Sequence, residues 1–273
     1  MEGLDARLLF GIVIVGLALV LAVFAPWFAG SDPTAQGDVV ATRFLRPWST
    51  DPYGVFHLLG TDRFGRDVWA RLLYGARVSL GVGVLAMALS VLIGTVVGAV
   101  AGMGTKPVRD LLLGATDFAL ALPRVVLLLL LASLWEPSAV LVILVLGLTG
   151  WMSIARLVFS QVRSLRARPF IEAATALGAK PRTLLRRHVI PNALTPVIIA
   201  ATLGVGNTIL LEAGLSFLGL GVQPPTPSWG NMIASGRDTL VNAPWVAVVP
   251  GIALVLVVVA LTQLGDVLQE RGN

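Results

Sequence analysis

The 273-residue chain is 56% hydrophobic and only 13% charged, with a mean hydropathy of +0.86. This composition excludes a soluble domain and predicts an all-α protein that crosses a membrane several times. The net charge of +5 does not indicate a nucleic-acid-binding protein, because the basic residues cluster beside apolar runs and form no aromatic-rich basic face.

Side chains that could perform covalent chemistry are scarce. The chain has no cysteine, and its two histidines, His57 and His188, lie outside the apolar runs. A disulfide framework and a thiolate metal site are excluded, and little material remains for any other metal site. No GxxxxGK[ST], HExxH or GxSxG pattern occurs. We therefore expect no catalytic residue, no metal and no cofactor in this chain.

Six apolar runs are long enough to cross a bilayer, at approximately 8–29, 79–102, 111–134, 138–160, 193–221 and 245–268. The first is longer than a signal-peptide core and follows a partly acidic head, so we expect it to be retained. An even number of spans places both termini on one side, and 12 of the 20 basic residues, Arg156 among them, fall on that side. The positive-inside rule therefore predicts cytoplasmic termini and a cytoplasmic 161–191 loop.

The outer segment at 30–76 contains an amphipathic stretch. Val68, Trp69, Leu72 and Leu73 share one face of a predicted helix, which we expect to lie along the outer membrane surface. We divide the chain accordingly into 1–78, a first span with an outer loop and an interfacial helix, and 79–273, a five-helix core.

The second predicted span carries small residues at four-residue steps, namely Ser90, Gly94, Gly98 and Gly102. This spacing allows close approach of another helix.

The third predicted span contains Asp117 and Arg124 at seven-residue spacing, which predicts that they lie roughly on one helix face, with Pro123 expected to kink the helix. Ionisable groups at this depth face protein or water, so both are candidates for a translocation path. The alternative is a structural ion pair, either between the two or with a partner subunit.

The fifth predicted span has a small and polar stripe, formed by Ala200, Gly204, Thr208, Glu212 and Ser216. Such a stripe is expected at a seam between subunits or along a water-filled path. Glu212 and the neighbouring Asn207 are therefore path candidates. The alternative is that Glu212 anchors helix packing through hydrogen bonds. After this span, closely spaced glycines and prolines predict a stiff outer loop.

The 172–193 stretch reads EAATALGAKPRTLLRRHVIPNA and predicts a helix, a sharp turn and a second helix. Gly178 can end the first helix in a left-handed conformation, and Pro181 suits the first turn of the second. Arg182 belongs to a basic cluster on the second helix. From this pattern alone, an amphipathic linker on the membrane surface remains an alternative.

This stretch resembles the cytoplasmic coupling loop of the permease subunits of ABC importers. The motif positions that match are Glu172, Ala173, Ala174, Gly178 and Pro191. His188 stands where the family has isoleucine, and with the following Pro-Asn-Ala it is similar to the dipeptide, oligopeptide and nickel branch, to the second permease of the pair. The stretches LGTDRFGRDVWARLLYGARVSL and EAGLSFLGLGVQPPTPSWG resemble the same branch.

The resemblance implies the type I importer fold in a bacterial cytoplasmic membrane and movement of peptides or related solutes by alternating access. It implies a second permease subunit, two ATPase subunits that bind ATP and Mg, and an extracytoplasmic binding protein. Glu172, Ala173, Ala174, Gly178, Arg182 and Pro191 would couple the spans to the ATPases. The alternatives are a permease for nickel chelates and an ion-coupled secondary transporter that uses Asp117, Arg124 and Glu212.

Overall fold

A computed structural model describes residues 2–169 and 190–272 of the chain, and these residues are mostly helical. Their helices, numbered here in chain order, are α1 (Glu2–Val23), α2 (Ala25–Phe28), α3 (Val39–Thr42), α4 (Val68–Met103), α5 (Lys106–Ala121), α6 (Arg124–Ser133), α7 (Ala139–Leu148), α8 (Trp151–Arg166), α9 (Ile190–Phe217), α10 (Trp229–Arg237) and α11 (Trp245–Gly272). A small antiparallel hairpin, β1 (Ser49–Thr50) and β2 (Phe56–His57), lies in the outer segment.

The spans agree with the six predicted apolar runs. Five stretches pass as single spans by length and composition, and the α5–α6 pair makes the sixth if the two helices are counted together. The nitrogen of Arg7 lies 3.9 Å from the carboxylate of Glu270, so the two ends of the chain lie on the same side, as predicted.

Helix α4 is at the centre of the fold and packs on α1, α7, α8 and α9. Its small residues lie where α8 approaches: a Cβ built on Gly94 would come within 2.6 Å of Ile154, and one on Gly102 within 2.6 Å of Val162. The Ser90 hydroxyl donates to the Gly147 carbonyl at 3.0 Å. The predicted close approach at this stripe is therefore present, and it joins α4 to α7 and α8 of the same subunit.

The predicted interfacial helix is not a separate element. Helix α4 runs without interruption for 36 residues from Val68 to Met103, so the predicted boundary at 78/79 falls inside one helix. Both faces of its first turns are buried, including Val68, Ala70 and Arg71. The amphipathic pattern at the start of α4 reflects its packing against the folded outer segment. The pattern gave no indication that this helix continues into the second span.

The outer segment is held by a buried ionic cluster. Gly60 and Gly65 adopt left-handed backbone conformations, with φ of +73° and +72°, that glycine tolerates best. Asp62 pairs with Arg66 at 2.7 Å and lies 3.7 Å from Arg71, and all three are nearly inaccessible. These Gly-Thr-Asp and Gly-Arg-Asp pieces therefore fold the outer segment back onto α4.

A second buried contact fixes the start of α4. Asp67 accepts from the amide of Ala70 at 2.7 Å and contacts the His57 Nδ1 at 2.6 Å, so it caps the helix and holds the hairpin. Asp51 lies on the other side of the imidazole, 3.6 Å from Nε2. Burial acts to raise the pKa of the Asp51 carboxyl, but amide hydrogen bonds from Val55 and Tyr53 and the His57 contact lower it overall.

We expect Gly94→Leu to destabilise the subunit by about 1–3 kcal/mol, because the added side chain must displace Ile154 from the seam between α4 and α8. Gly81→Leu, on the same helix with open space at its Cβ position, is the matched control. Thermal unfolding in detergent measures both variants. Equal melting temperatures for the two would contradict the tight seam.

Candidate functional site

The residues predicted to couple the chain to ATPases fall mainly in the part that the structure does not describe. Glu172, Ala173, Ala174, Gly178 and Arg182 lie outside the described residues, and Pro191 lies in the first turn of α9. The loop begins after α8, where the Arg166 guanidinium donates to the Gly102 carbonyl at the end of α4 at 2.8 Å. The span before the loop is thus joined to α4.

An ion pair at membrane depth joins α5 and α8. The Arg156 Nε donates to the Asp117 carboxylate at 3.0 Å, and the side chains are 53% and 52% exposed in this chain. Asp117 lies 11 residues from the start of α5, and Arg156 lies 10 residues from the end of α8. Both are therefore about 15 Å along their helices from the ends nearest the 161–191 loop, within candidate membrane spans. Exposed charges at that depth need a water-filled path or a partner subunit beside them.

The prediction that Asp117 and Arg124 share one helix face, and could pair, is wrong. The chain turns by 85° between α5 and α6, so helical spacing does not continue from one residue to the other. Leu122 has an extended backbone and Pro123 follows it, which ends α5. Pro123 was expected to kink a span, and it lies at a complete break.

Arg156 was counted among the cytoplasmic basic residues and was not named as a site residue. The structure places it in α8, within a candidate span that extends from Ala139 to Arg166, where it pairs with Asp117. The signal was available, because Arg156 is the one charged residue within the predicted 138–160 run.

Asn207 lies on the side of α9 that faces away from the rest of the subunit. It is exposed, as is Leu210 one turn on, whereas Gly206 and Thr208 beside it are buried. A carboxamide on the surface of a spanning helix is also expected to face protein or water.

Glu212 occupies the opposite side of α9 and is completely buried in the subunit. Its carboxylate accepts from the Ser79 hydroxyl of α4 at 2.9 Å and from the Ser216 hydroxyl at 2.7 Å. The Ser79 oxygen in turn accepts from the amide of Trp229, the first residue of α10, at 3.2 Å. Glu212 is therefore the centre of a hydrogen-bonded cluster that joins three helices.

The small and polar stripe on α9 does not form a seam between subunits. Thr208, Glu212 and Ser216 are buried within this chain, and a Cβ on Gly204 would come within 2.5 Å of the Met87 sulfur of α4. The stripe therefore faces α4, and that interpretation of the sequence is corrected. Small residues favour close helix packing but do not indicate whether the neighbour belongs to the same subunit.

We expect Glu212→Leu to lower the free energy of unfolding by about 1–3 kcal/mol, because it leaves the buried Ser79 and Ser216 hydroxyls without their acceptor. Glu212→Gln, which keeps a carbonyl oxygen, should lose less. Denaturation of the purified subunit in detergent measures both. Full stability of Glu212→Leu would show that the cluster does not anchor α9.

Comparison with known proteins gives a consistent result. Residues 94–271 match the family model of the binding-protein-dependent transport system inner membrane component. A putative peptide transport system permease protein of Brucella suis biovar 1 is 36% identical over 260 residues, covering 95% of this chain and 85% of the relative. The dipeptide transport system permease protein DppC of Alkalihalophilus pseudofirmus is 36% identical, covering 95% of this chain and 83% of the relative.

Two solved structures share the fold. The methionine ABC transporter MetNI, in an inward-facing conformation, aligns with a TM-score of 0.60 and 20% identity over 73% of this chain and 95% of the other. An amino acid ABC transporter with histidines aligns with a TM-score of 0.56 and 16% identity over 74% of this chain and 94% of the other. With the six-span fold, these matches show that the chain belongs to the family of inner membrane components of binding-protein-dependent transport systems, the permease subunits of ABC importers.

Proposed function

We propose that this permease moves peptides into the cell by alternating access, as one of two related permease subunits that work with two ATPase subunits and an extracytoplasmic binding protein. The printed names of the relatives, which are peptide and dipeptide permeases, support the solute class. Binding and hydrolysis of ATP with Mg fall to the partner subunits. Glu172, Ala173, Ala174, Gly178, Arg182 and Pro191 form the contact with the ATPases.

The observation that carries the transport role is the exposed ion pair of Asp117 and Arg156 within two candidate membrane spans. A lone subunit in lipid would face these charges toward acyl chains at high cost, which supports a partner subunit or a polar path beside this surface. We assign Asp117, Arg156, Arg124 and Asn207 to that surface. Glu212 is assigned a packing role, because it is buried behind α9.

Ion-coupled transport is not favoured by this arrangement. Asp117 already has Arg156 as its counter-ion, and the Glu212 carboxylate is occupied by two hydroxyls. Neither carboxylate is therefore placed to bind and release a coupling ion. Nickel chelates, the other solute class considered, are also not favoured, because the named relatives are peptide and dipeptide permeases.

The test is purification of the tagged chain in mild detergent, with mass spectrometry of the proteins that come with it and an ATPase assay. We expect a second permease and two ATPase subunits, with ATP hydrolysis stimulated by a peptide-loaded binding protein. A chain that purifies alone and hydrolyses no ATP in several mild detergents would contradict the proposal.

A further inference from the structure

Two spans are interrupted at the same level of the membrane. Helix α5 ends at Ala121 and α6 begins at Arg124, while α7 ends at Leu148 and α8 begins at Trp151. Helices α5 and α8 have 16 residues each and pack against one another. Both interruptions are therefore about 24 Å along the two helices from their cytoplasmic ends, within candidate membrane spans. Irregular backbone at membrane depth is tolerated where it is buried in protein or lines a cavity.

A cavity of about 60 Å³ lies between the two interruptions. Its polar lining comes from Arg124 on one side and from Thr149, Gly150 and Ser153 on the other, with leucine and alanine side chains and Met152 as the remaining walls. The volume accommodates a small polar group or a few waters.

The charge of Arg124 is not neutralised by the part of the chain that the structure describes. Its Nε is buried and has no hydrogen-bond partner among the described residues. Asp117, the nearest carboxylate along the chain, is paired with Arg156, and no acidic residue lines the cavity. A guanidinium does not deprotonate in proteins, so the half-buried Arg124 keeps its charge without a counter-ion among the described residues. The N-terminus of α6, which no side chain caps, adds the positive end of the helix dipole to the charge of Arg124.

We propose that this cavity is a carboxylate subsite of the translocation path, in which Arg124 binds the C-terminal carboxylate of the transported peptide. This inference rests on the proposed function. A guanidinium presents paired N–H donors that match the two oxygens of a carboxylate, and the exposed Ser153 can supply a further hydroxyl. Every linear peptide carries this carboxylate whatever its side chains are, so the subsite holds peptides without reading their sequence.

The experiment uses the complete complex in proteoliposomes, with the binding protein and one peptide, di-alanine, as the probe. Uptake and ATP hydrolysis are measured together for the unaltered complex, Arg124→Met and Arg124→Lys. Arg7→Met is the control, because Arg7 is an exposed arginine that is far from Arg124 in the sequence and pairs with Glu270. Recovery of all subunits on size-exclusion chromatography reports assembly.

For Arg124→Met we expect normal assembly and stimulated ATP hydrolysis, with peptide moved per ATP reduced on the order of tenfold. Arg124→Lys should fall in between, because an ammonium keeps the charge but loses the paired geometry. Uptake per ATP equal to the control in both variants would overturn the subsite. Loss of assembly in both would also overturn it, since Arg124 would then pair with a carboxylate of a partner subunit. If the unaltered complex shows no ATP-driven uptake, the proposed function itself fails.

Discussion

Glu172→Lys combined with Gly178→Pro is expected to abolish peptide uptake while the protein still inserts and assembles with its partner permease. Glu172 matches the acidic position of the coupling motif, and Gly178 matches the glycine at its turn. Reversing the charge and replacing the glycine should prevent conformational changes in the ATPases from reaching the spans, because we propose this loop as their contact with this subunit. Uptake in inverted membrane vesicles or proteoliposomes measures the effect.

The control for this variant is Arg168→Lys, in the same 161–191 loop but outside the motif, where the side chain is exposed. It should transport as the unaltered protein does. Uptake by the double variant at the level of this control would contradict the coupling assignment. Failure to reach the membrane would be detected by quantifying the inserted protein before the assay.

The ion pair between α5 and α8 gives the second large effect. We expect Asp117→Ala and Arg156→Ala each to reduce uptake about tenfold or more, because each leaves the other charge without its counter-ion within a candidate membrane span. The exchanged variant, Asp117→Arg with Arg156→Asp, should recover part of the loss. Uptake and the amount of assembled complex are measured together.

Arg109→Ala is the matched control for the ion pair, because Arg109 is on the same helix and pairs with Asp110 at 3.1 Å at the exposed end of α5. We expect it to retain most of its transport, since exposed pairs contribute little. If the single variants of Asp117 and Arg156 also retain most of their transport, the ion pair has no part in the translocation path.

The membrane architecture could be predicted from the sequence because apolar runs of span length have few competing explanations. The six runs and the shared side of the two termini agree with the structure. The break at Pro123 was anticipated only as a kink. Proline reports that a helix is disturbed, but the size of the 85° turn depends on how α5 and α6 pack on α7 and α8.

The outer side was harder to predict. The Gly- and Pro-rich stretch after α9 was expected to be a stiff loop, and it leads into an unpredicted helix, α10, where Ser228 and Asn231 form a capping box. Helix α10 has only nine residues, which is too short to give a clear periodic signal in the sequence. Its first residue, Trp229, is held by Ser79, which lies far away in the chain. Ser79, which is 133 residues from Glu212 in the chain, could not be linked to it by any local pattern.

The candidate site was predicted in part. Asp117 and Arg124 were recognised because charge inside an apolar run is rare, but their partners depend on tertiary structure. The count of basic residues on each side of the membrane placed Arg156 in the cytoplasm. It did not identify Arg156 as the counter-ion of Asp117. A small-residue stripe could be recognised on both α4 and α9, while the helix that each one faces could not.

The most direct test of the central claim is peptide uptake by the reconstituted complex under two sources of energy. With ATP inside the compartment that holds the ATPases and with ion gradients abolished by ionophores, we predict that uptake continues at its full rate. A catalytically inactive variant of the partner ATPase should then stop it. Uptake that persists without ATPase activity and disappears with the ion gradient would contradict the account and identify an ion-coupled carrier.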